Sequence, residues 1–364
     1  MDHMIAEALL AHFPKMTVKR FKQGVATFGS ADAFFNAESH TVRDRLPWDD
    51  NTKHLFLGWR EEIDPKRIKK ILEQEHITVV TQEHDTYPPL LKQIYDPPFC
   101  LFVRGTLDLG NQYPIAVVGT RKCSTYGTQV THELVTGLVQ HGLTIVSGLA
   151  LGIDGIAHNA TLQTGGTTIA VLGSGINRHH IYPAVHKQMA ERIVEKNGAV
   201  ISEYPPGSLP SKFTFPRRNR IIAGMTLGTL VIEAADKSGA LITSSYALEH
   251  GRDIFTVPHP ITSSTGTGPN RLLKEGAHIV TSASDIIDIL NLNELKTFTQ
   301  SAAIIPDSKE EAAILEHLSR EPLHVDVLAK SSGLTSREVN STLTLMEMKG
   351  KVRNIGNMHY VVAR

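Results

Sequence analysis

The chain has 364 residues, 41% hydrophobic and 20% charged, with 37 Lys and Arg balanced by 37 Asp and Glu. That length and composition point to two or three globular domains with real cores. Zero net charge excludes a diffuse polycation, so any nucleic-acid binding has to come from a local patch.

The two cysteines, Cys100 and Cys123, are too few for a disulfide framework and point to a reducing compartment, hence a cytoplasmic location. The N-terminus lacks the basic and apolar pattern of a secretion signal, and no apolar run reaches the length of a membrane span. The 18 histidines form no HxxxH or HExxH pattern, so neither a metal nor a cofactor is expected.

Residues 1–75 read as a small helical domain. Ile5, Leu9, Leu10 and Phe13 have helical spacing, and Phe21, Val25 and Phe28 continue it after Pro14. Ser30 and Asp32 look like helix-start residues, and 65–74 is a further short amphipathic helix. Trp48 and Trp59 are expected in the core or at an interface rather than in a site.

Residues 76–290 change texture. Apolar runs at 115–118, 143–146, 168–172, 199–202, 229–232 and 253–257 alternate with helical segments. Nearly continuous apolar strands of this kind belong to a parallel sheet covered on both faces. The expectation is an α/β fold, a Rossmann-like, doubly wound, mostly parallel sheet. Residues 87–98 read as a loop-rich lead-in. Residues 291–308 read as a linker, and 309–364 as three helices and a hairpin around Gly356-Asn357, a winged helix. Its third helix offers only Arg337 and Lys349 as cations, so a structural or protein-binding role is as well supported as DNA reading.

Ligands of open α/β sheets sit beyond the carboxyl ends of the strands. There the chain places Gly119-Thr-Arg121, Ser147-Gly148, Gly173-Ser174-Gly175 and the loop from Glu233 to Gly239. The glycines allow close backbone approach, Arg121 suits phosphate, and Gly173 to Gly175 could offer main-chain N–H groups to an anion. Ser211-Lys-Phe-Thr-Phe-Pro-Arg-Arg-Asn-Arg220 adds Lys212, Arg217, Arg218 and Arg220, with Phe213, Phe215 and Asn219 among them and no acid. Cations that neutralise phosphates and rings that stack on bases are the ingredients of single-strand binding. The plainer reading is a loop capping the next helix, its phenylalanines buried and its arginines solvated. Asp154, His158 and Glu233 could serve as acid or base. The preferred reading has Asp154 capping its helix and Glu233 holding its loop. No GxGxxG with a following ribose-binding acid and no GxxxxGK[ST] is present, which disfavours dinucleotide and P-loop chemistry.

In order along the chain come Val118-Gly-Thr-Arg121, Ser147-Gly-Leu-Ala-Leu-Gly-Ile-Asp154, Thr168-Ile-Ala-Val-Leu-Gly-Ser-Gly175, Phe215-Pro-Arg-Arg-Asn-Arg-Ile-Ile-Ala-Gly224, Ser238-Gly-Ala-Leu-Ile-Thr243 and Glu249-His-Gly-Arg-Asp253. This series resembles the DprA (Smf) family of DNA-processing proteins over about 200 residues. The resemblance implies a homodimeric, non-enzymatic protein. It would bind and protect incoming single-stranded DNA in natural transformation and help load RecA, displacing single-strand-binding protein. It also implies an N-terminal domain resembling a sterile alpha motif. The DNA groove would be lined by Arg121, Ser147, Gly148, Gly173, Ser174, Gly175 and the segment from Lys212 to Arg220. The sequence departs from the family pattern at His259, Asn177 and His186 and in the loop from Ser263 to Pro269, which puts local loop shape in question. A second reading is a nucleotide-processing enzyme similar to phosphoribohydrolases, with Gly228-Thr229 leading to Glu233, but the Pro-Gly-Gly run of that loop is missing.

Overall fold

The computed structural model describes residues 3–109, 112–292, 306–318, 323–349, 351–356 and 358–362. The chain divides into two units, 1–295 and 296–364. Residues 293–305 of the expected linker and Asn357 of the expected hairpin turn lie outside the described residues. Among the described residues no helix is long and apolar enough to cross a membrane.

The first unit opens with α1 (His3–Ala11), α2 (Val18–Phe28), α3 (Ala31–Asn36), α4 (Ser39–Arg45), α5 (Asp50–Glu62) and α6 (Pro65–Gln74). Ser30 starts α3 by accepting the Ala33 N–H at 3.0 Å. Phe13, Phe34, Trp48, Phe56 and Trp59 form the aromatic core of these helices. They are not a detached domain. Ala8 and Leu72 share a core with Phe102 of the sheet, and Phe21 stacks on Phe99 with ring centres 4.0 Å apart. The helices are thus fused to one edge of the sheet.

The strands are β1 (Thr78–Thr81), β2 (Cys100–Gly105), β3 (Tyr113–Val118), β4 (Leu143–Ser147), β5 (Thr168–Val171), β6 (Ala199–Ser202), β7 (Gly228–Val231), β8 (Asp253–Thr256) and β9 (His278–Ile279). They lie in the order β1-β2-β6-β5-β4-β3-β7-β8-β9. From β6 to β9 all neighbours are parallel, while β1 and β2 are antiparallel additions. All six expected parallel strands form. Strand β2, just after the stretch read as a lead-in, and the two-residue β9 were not foreseen. Successive residues of β3 serve opposite layers: Ile115 and Val117 join one core, Ala116 and Val118 the other. Chain order reverses at β3, which has β4 on one side and β7 on the other. The loops after β3 and β7 therefore diverge and leave a crevice at the carboxyl end of the sheet.

In the second unit, α15 (Lys309–His317), α16 (Val325–Ser332) and α17 (Ser336–Met348) pack beside β10 (Leu323–His324), β11 (Val352–Gly356) and β12 (His359–Val362). This is the expected winged helix with one extra short strand. Lys349, one of the two cations of the third helix, is exposed but already ion-paired. It binds Asp307 at 2.9 Å and Glu311 at 2.8 Å, with Lys351 on the same two carboxylates. The Asp307 N–H and the lysines hold the Glu311 carboxyl down at about 2, and the lysines hold Asp307 at about 2. Both folded values lie below the ordinary ones, so these pairs stabilise the unit above the usual carboxylate range and are lost as pH falls towards 2. Hydrogen-exchange protection of α17 is expected to drop over that window; protection that stays flat would show the cluster contributes nothing.

Candidate nucleic-acid interface

The crevice encloses about 690 Å³ and is lined from three directions. The loop after β3 contributes Thr120 and Arg121, the loop after β7 contributes Lys237 and Ser238, and α11 (Thr214–Gly224) with its lead-in contributes Lys212, Phe215, Arg218 and Asn219. The basic stretch is thus mostly helix, where the sequence reading had a loop. In a helix successive side chains turn by about 100°, so neighbouring arginines cannot share one face. That geometry divides the predicted residues.

Arg121 and Lys212 are exposed at the mouth, and neither has an ion pair among the described residues. The Arg121 guanidinium lies 5.6 Å from the centre of the Phe215 ring, and the Lys212 ammonium 5.1 Å from that of Phe213. Phe213 is 73% exposed, a solvated ring at the rim. Phe215 is half-buried and meets the Tyr182 ring at 5.6 Å. The cation–ring pairs hold two guanidinium- or ammonium-bearing arms over two rings that could stack on bases.

Arg218 points inward and is fully enclosed. Its Nη1 donates to Gly148 O at 2.8 Å and to Val171 O, and its Nε to Asn219 Oδ1 at 3.1 Å. Burial lowers its pKa to about 10, opposed by the charge of Asp154, so it remains a cation at neutral pH. Asn219 Nδ2 donates to Gly239 O at 3.2 Å, tying α11 to the start of α12 (Gly239–Glu249).

The predicted glycines act through space rather than through their N–H groups. A Cβ on Gly148 would lie 2.6 Å from the Arg218 guanidinium nitrogens, and one on Gly173 would lie 2.9 Å from the Phe215 ring. These two glycines let α11 settle onto the strand ends. The anion nest expected at Gly173 to Gly175 is not open: the Gly175 N–H donates to Ser208 O at 2.9 Å. Gly148 N–H likewise donates to Asp154 at 3.1 Å. Ser147 and Ser174 are buried, their hydroxyls donating to Val117 O at 2.6 Å and His180 O at 3.0 Å. Both serines hold the framework and offer no hydroxyl to the crevice.

Arg220 is the clearest correction. It is buried, paired with Glu203, and donates to Asp96 O at 2.7 Å. Arg217 is 40% exposed, with its Nε 3.5 Å from the other Glu203 oxygen. These two therefore lie over the Glu203 carboxylate, at the flank of α11 rather than in the crevice.

Asp154 does not cap its helix as expected. It sits in the first turn of α9 (Ile153–Gln163) and accepts from the Gly148 and Ala150 N–H groups of the preceding loop. Glu233 does hold its loop, accepting from Ser124 N at 2.8 Å, Ser124 Oγ at 2.6 Å and Thr265 Oγ1 at 2.9 Å. At the departures from the family pattern, His259 bonds Ile232 O at 2.7 Å, Asn177 accepts from Gly207 N at 3.0 Å, and His186 reaches Leu149 O at 2.8 Å. Each secures its loop. The sequence reading missed Lys237, an exposed cation on the crevice wall facing the β3 loop. The signal was its place after β7, the strand beside the reversal of chain order.

Residues 78–291 match the family model described as DNA recombination-mediator protein A, and 299–356 match the DprA winged helix domain. Protein Smf of Escherichia coli K12 is 40% identical over 285 residues, which covers 77% of this chain and 76% of that protein. DNA processing protein DprA of Streptococcus pneumoniae is 47% identical over 203 residues, 56% of this chain and 71% of that one. The crystal structure of the pneumococcal protein superposes with a TM-score of 0.63 at 37% identity, covering 74% of this chain and 95% of that chain. A structure of DNA processing protein A from Helicobacter pylori, described for its single-stranded DNA binding mode, gives 0.53 at 29% identity, over 60% and 98%.

Proposed function

The chain belongs to the DNA recombination-mediator protein A family, and on that premise we propose that it binds single-stranded DNA in the crevice at the end of the sheet without altering it. One observation carries the reading. Arg121, Lys212 and Lys237, three cations with no ion pair among the described residues, converge on one mouth with the rings of Phe213 and Phe215. Cations without carboxylates exchange readily to phosphates, and the rings accept any base. The Helicobacter protein's single-strand binding supports the same assignment here.

Binding should weaken with salt. Three phosphates neutralised on a single strand give a slope of about −2 in log affinity against log salt, from about 0.7 per phosphate. Fluorescence anisotropy with oligothymidine measures it, and the oligonucleotide should be recovered at unchanged length. Affinity indifferent to salt, or a shortened strand, would sink the reading.

Family membership supports the larger role: a cytoplasmic homodimer that protects incoming strands and hands them to RecA in place of single-strand-binding protein. The readout is RecA filament growth on a strand coated with that protein. If the chain does not quicken growth, this part is wrong. The phosphoribohydrolase reading loses support because both Glu233 oxygens are engaged by Ser124 and Thr265.

A further inference from the structure

We propose that α2 and the loop at Tyr95 form a second single-strand contact, which carries the polynucleotide from the sheet crevice onto the N-terminal helices. This inference rests on the crevice reading above.

Between Glu7 and Asp32 the chain has no acid, yet it carries Lys15, Lys19, Arg20 and Lys22. Arg20 is occupied within the helical core, 3.7 Å from Asp49, donating to Lys15 O at 2.8 Å and lying 5.8 Å from the Trp48 ring centre. Lys19 and Lys22 are not occupied. They stand one turn apart on the same face of α2, both exposed, and neither has an ion pair among the described residues. With Gln23, Ala26, Tyr95 and Asp96 they line a groove of about 460 Å³.

Two lysines alone would be a solvated helix face. The second observation is Tyr95, which is 99% exposed and touches no other ring among the described residues. A fully solvated ring in the same groove as two cations without an ion pair among the described residues repeats the chemistry of the crevice, with lysines for phosphates and a platform for a base. Asp96 is the acid in this lining, and its carboxylate lies 3.7 Å from Arg220 Nε.

The two grooves are neighbours. Asp96 holds Arg220, Arg220 holds Glu203, and Glu203 holds Arg217. Arg217 lies on the flank of α11, whose N-terminal end supplies Phe215 to the crevice. A strand leaving the crevice past Arg217 therefore meets the Tyr95 loop next.

The test uses the full chain and oligothymidines of about 6 and about 30 nucleotides, at the low end of and well beyond the roughly 4–16 that one site covers. Lys19→Glu with Lys22→Glu is expected to weaken binding of the long strand at least about tenfold. It should also make the salt slope shallower by about 1.4, two phosphates at about 0.7 each. Tyr95→Ala should weaken the long strand about tenfold. Neither variant should change binding of the short strand. Lys66→Glu with Lys70→Glu reverses the same charge on α6 and should leave both strands unaffected. Unchanged long-strand affinity in the α2 and Tyr95 variants, or an equal loss in the α6 control, overturns the proposal. So does loss of a dimer in sedimentation with long-strand binding intact, because the face would then meet a second copy. If the unaltered chain binds neither oligonucleotide, the crevice reading itself has failed.

Discussion

Arg121→Ala combined with Phe215→Ala is expected to lower single-strand affinity by about 100-fold or more. A charge-assisted bond to phosphate contributes about 1.5–3 kcal/mol and a stacked base about 1–3 kcal/mol. The two groups touch, with the guanidinium 5.6 Å from the ring centre, so their effects will not simply add. Arg121 is exposed and has no ion pair among the described residues, so its loss costs the fold little. Phe215 packs over Gly173 and beside Tyr182, so Arg121→Ala with Phe215→Leu provides a variant that keeps that packing. The measurement is anisotropy with a short oligothymidine, alongside a thermal melt. Affinity within about threefold of the unaltered chain, with the melt unchanged, would remove Arg121 and Phe215 from the interface.

Glu203→Ala should act on stability instead. Its carboxylate faces the buried Arg220 and the half-exposed Arg217. Removing one partner of a buried pair leaves an uncompensated charge and costs about 3–5 kcal/mol. Asp96 O and the Asp96 carboxylate at 3.7 Å stay beside Arg220 and place the result towards the lower figure. Urea titration reads the loss. The companion Glu203→Leu with Arg220→Met replaces the pair by apolar volume, which is often neutral or stabilising. It should retain short-strand affinity, because Arg220 faces Glu203 rather than the crevice. A folded double variant that no longer binds the short strand would return Arg220 to the interface.

These two experiments divide a stretch that looked uniform. Lys212, Arg217, Arg218 and Arg220 are chemically alike along the chain, yet Lys212 faces solvent at the mouth, Arg217 the flank, Arg218 the strand ends and Arg220 an acid. Glycine was legible as a residue of the site, but its service was not. Gly148 and Gly173 make room for Arg218 and Phe215, which is a matter of contact with a helix about 40–70 residues later. The winged helix was legible for a local reason. Thr335 and Glu338 form a reciprocal cap at its third helix, and Gly333 takes the left-handed turn before it at φ +71°. Strand β2 was not legible, since Pro97-Pro98 before it reads as a loop and its antiparallel pairing with β1 and β6 is remote in sequence.

By itself the sequence determined what depends on near neighbours: apolar runs that become parallel strands, caps that start helices, a family series of motifs, and a concentration of cations and rings without acids. The tertiary structure alone decided which of those cations meets solvent. The rotation of α11 is set by its packing against α12 and β5, and at about 100° per residue a small change in that packing would exchange an exposed arginine for a buried one. It also brought Lys237 across from Arg121 and Tyr95 beside Lys19 and Lys22, pairings made by strand order and helix docking, which leave no mark on the local sequence.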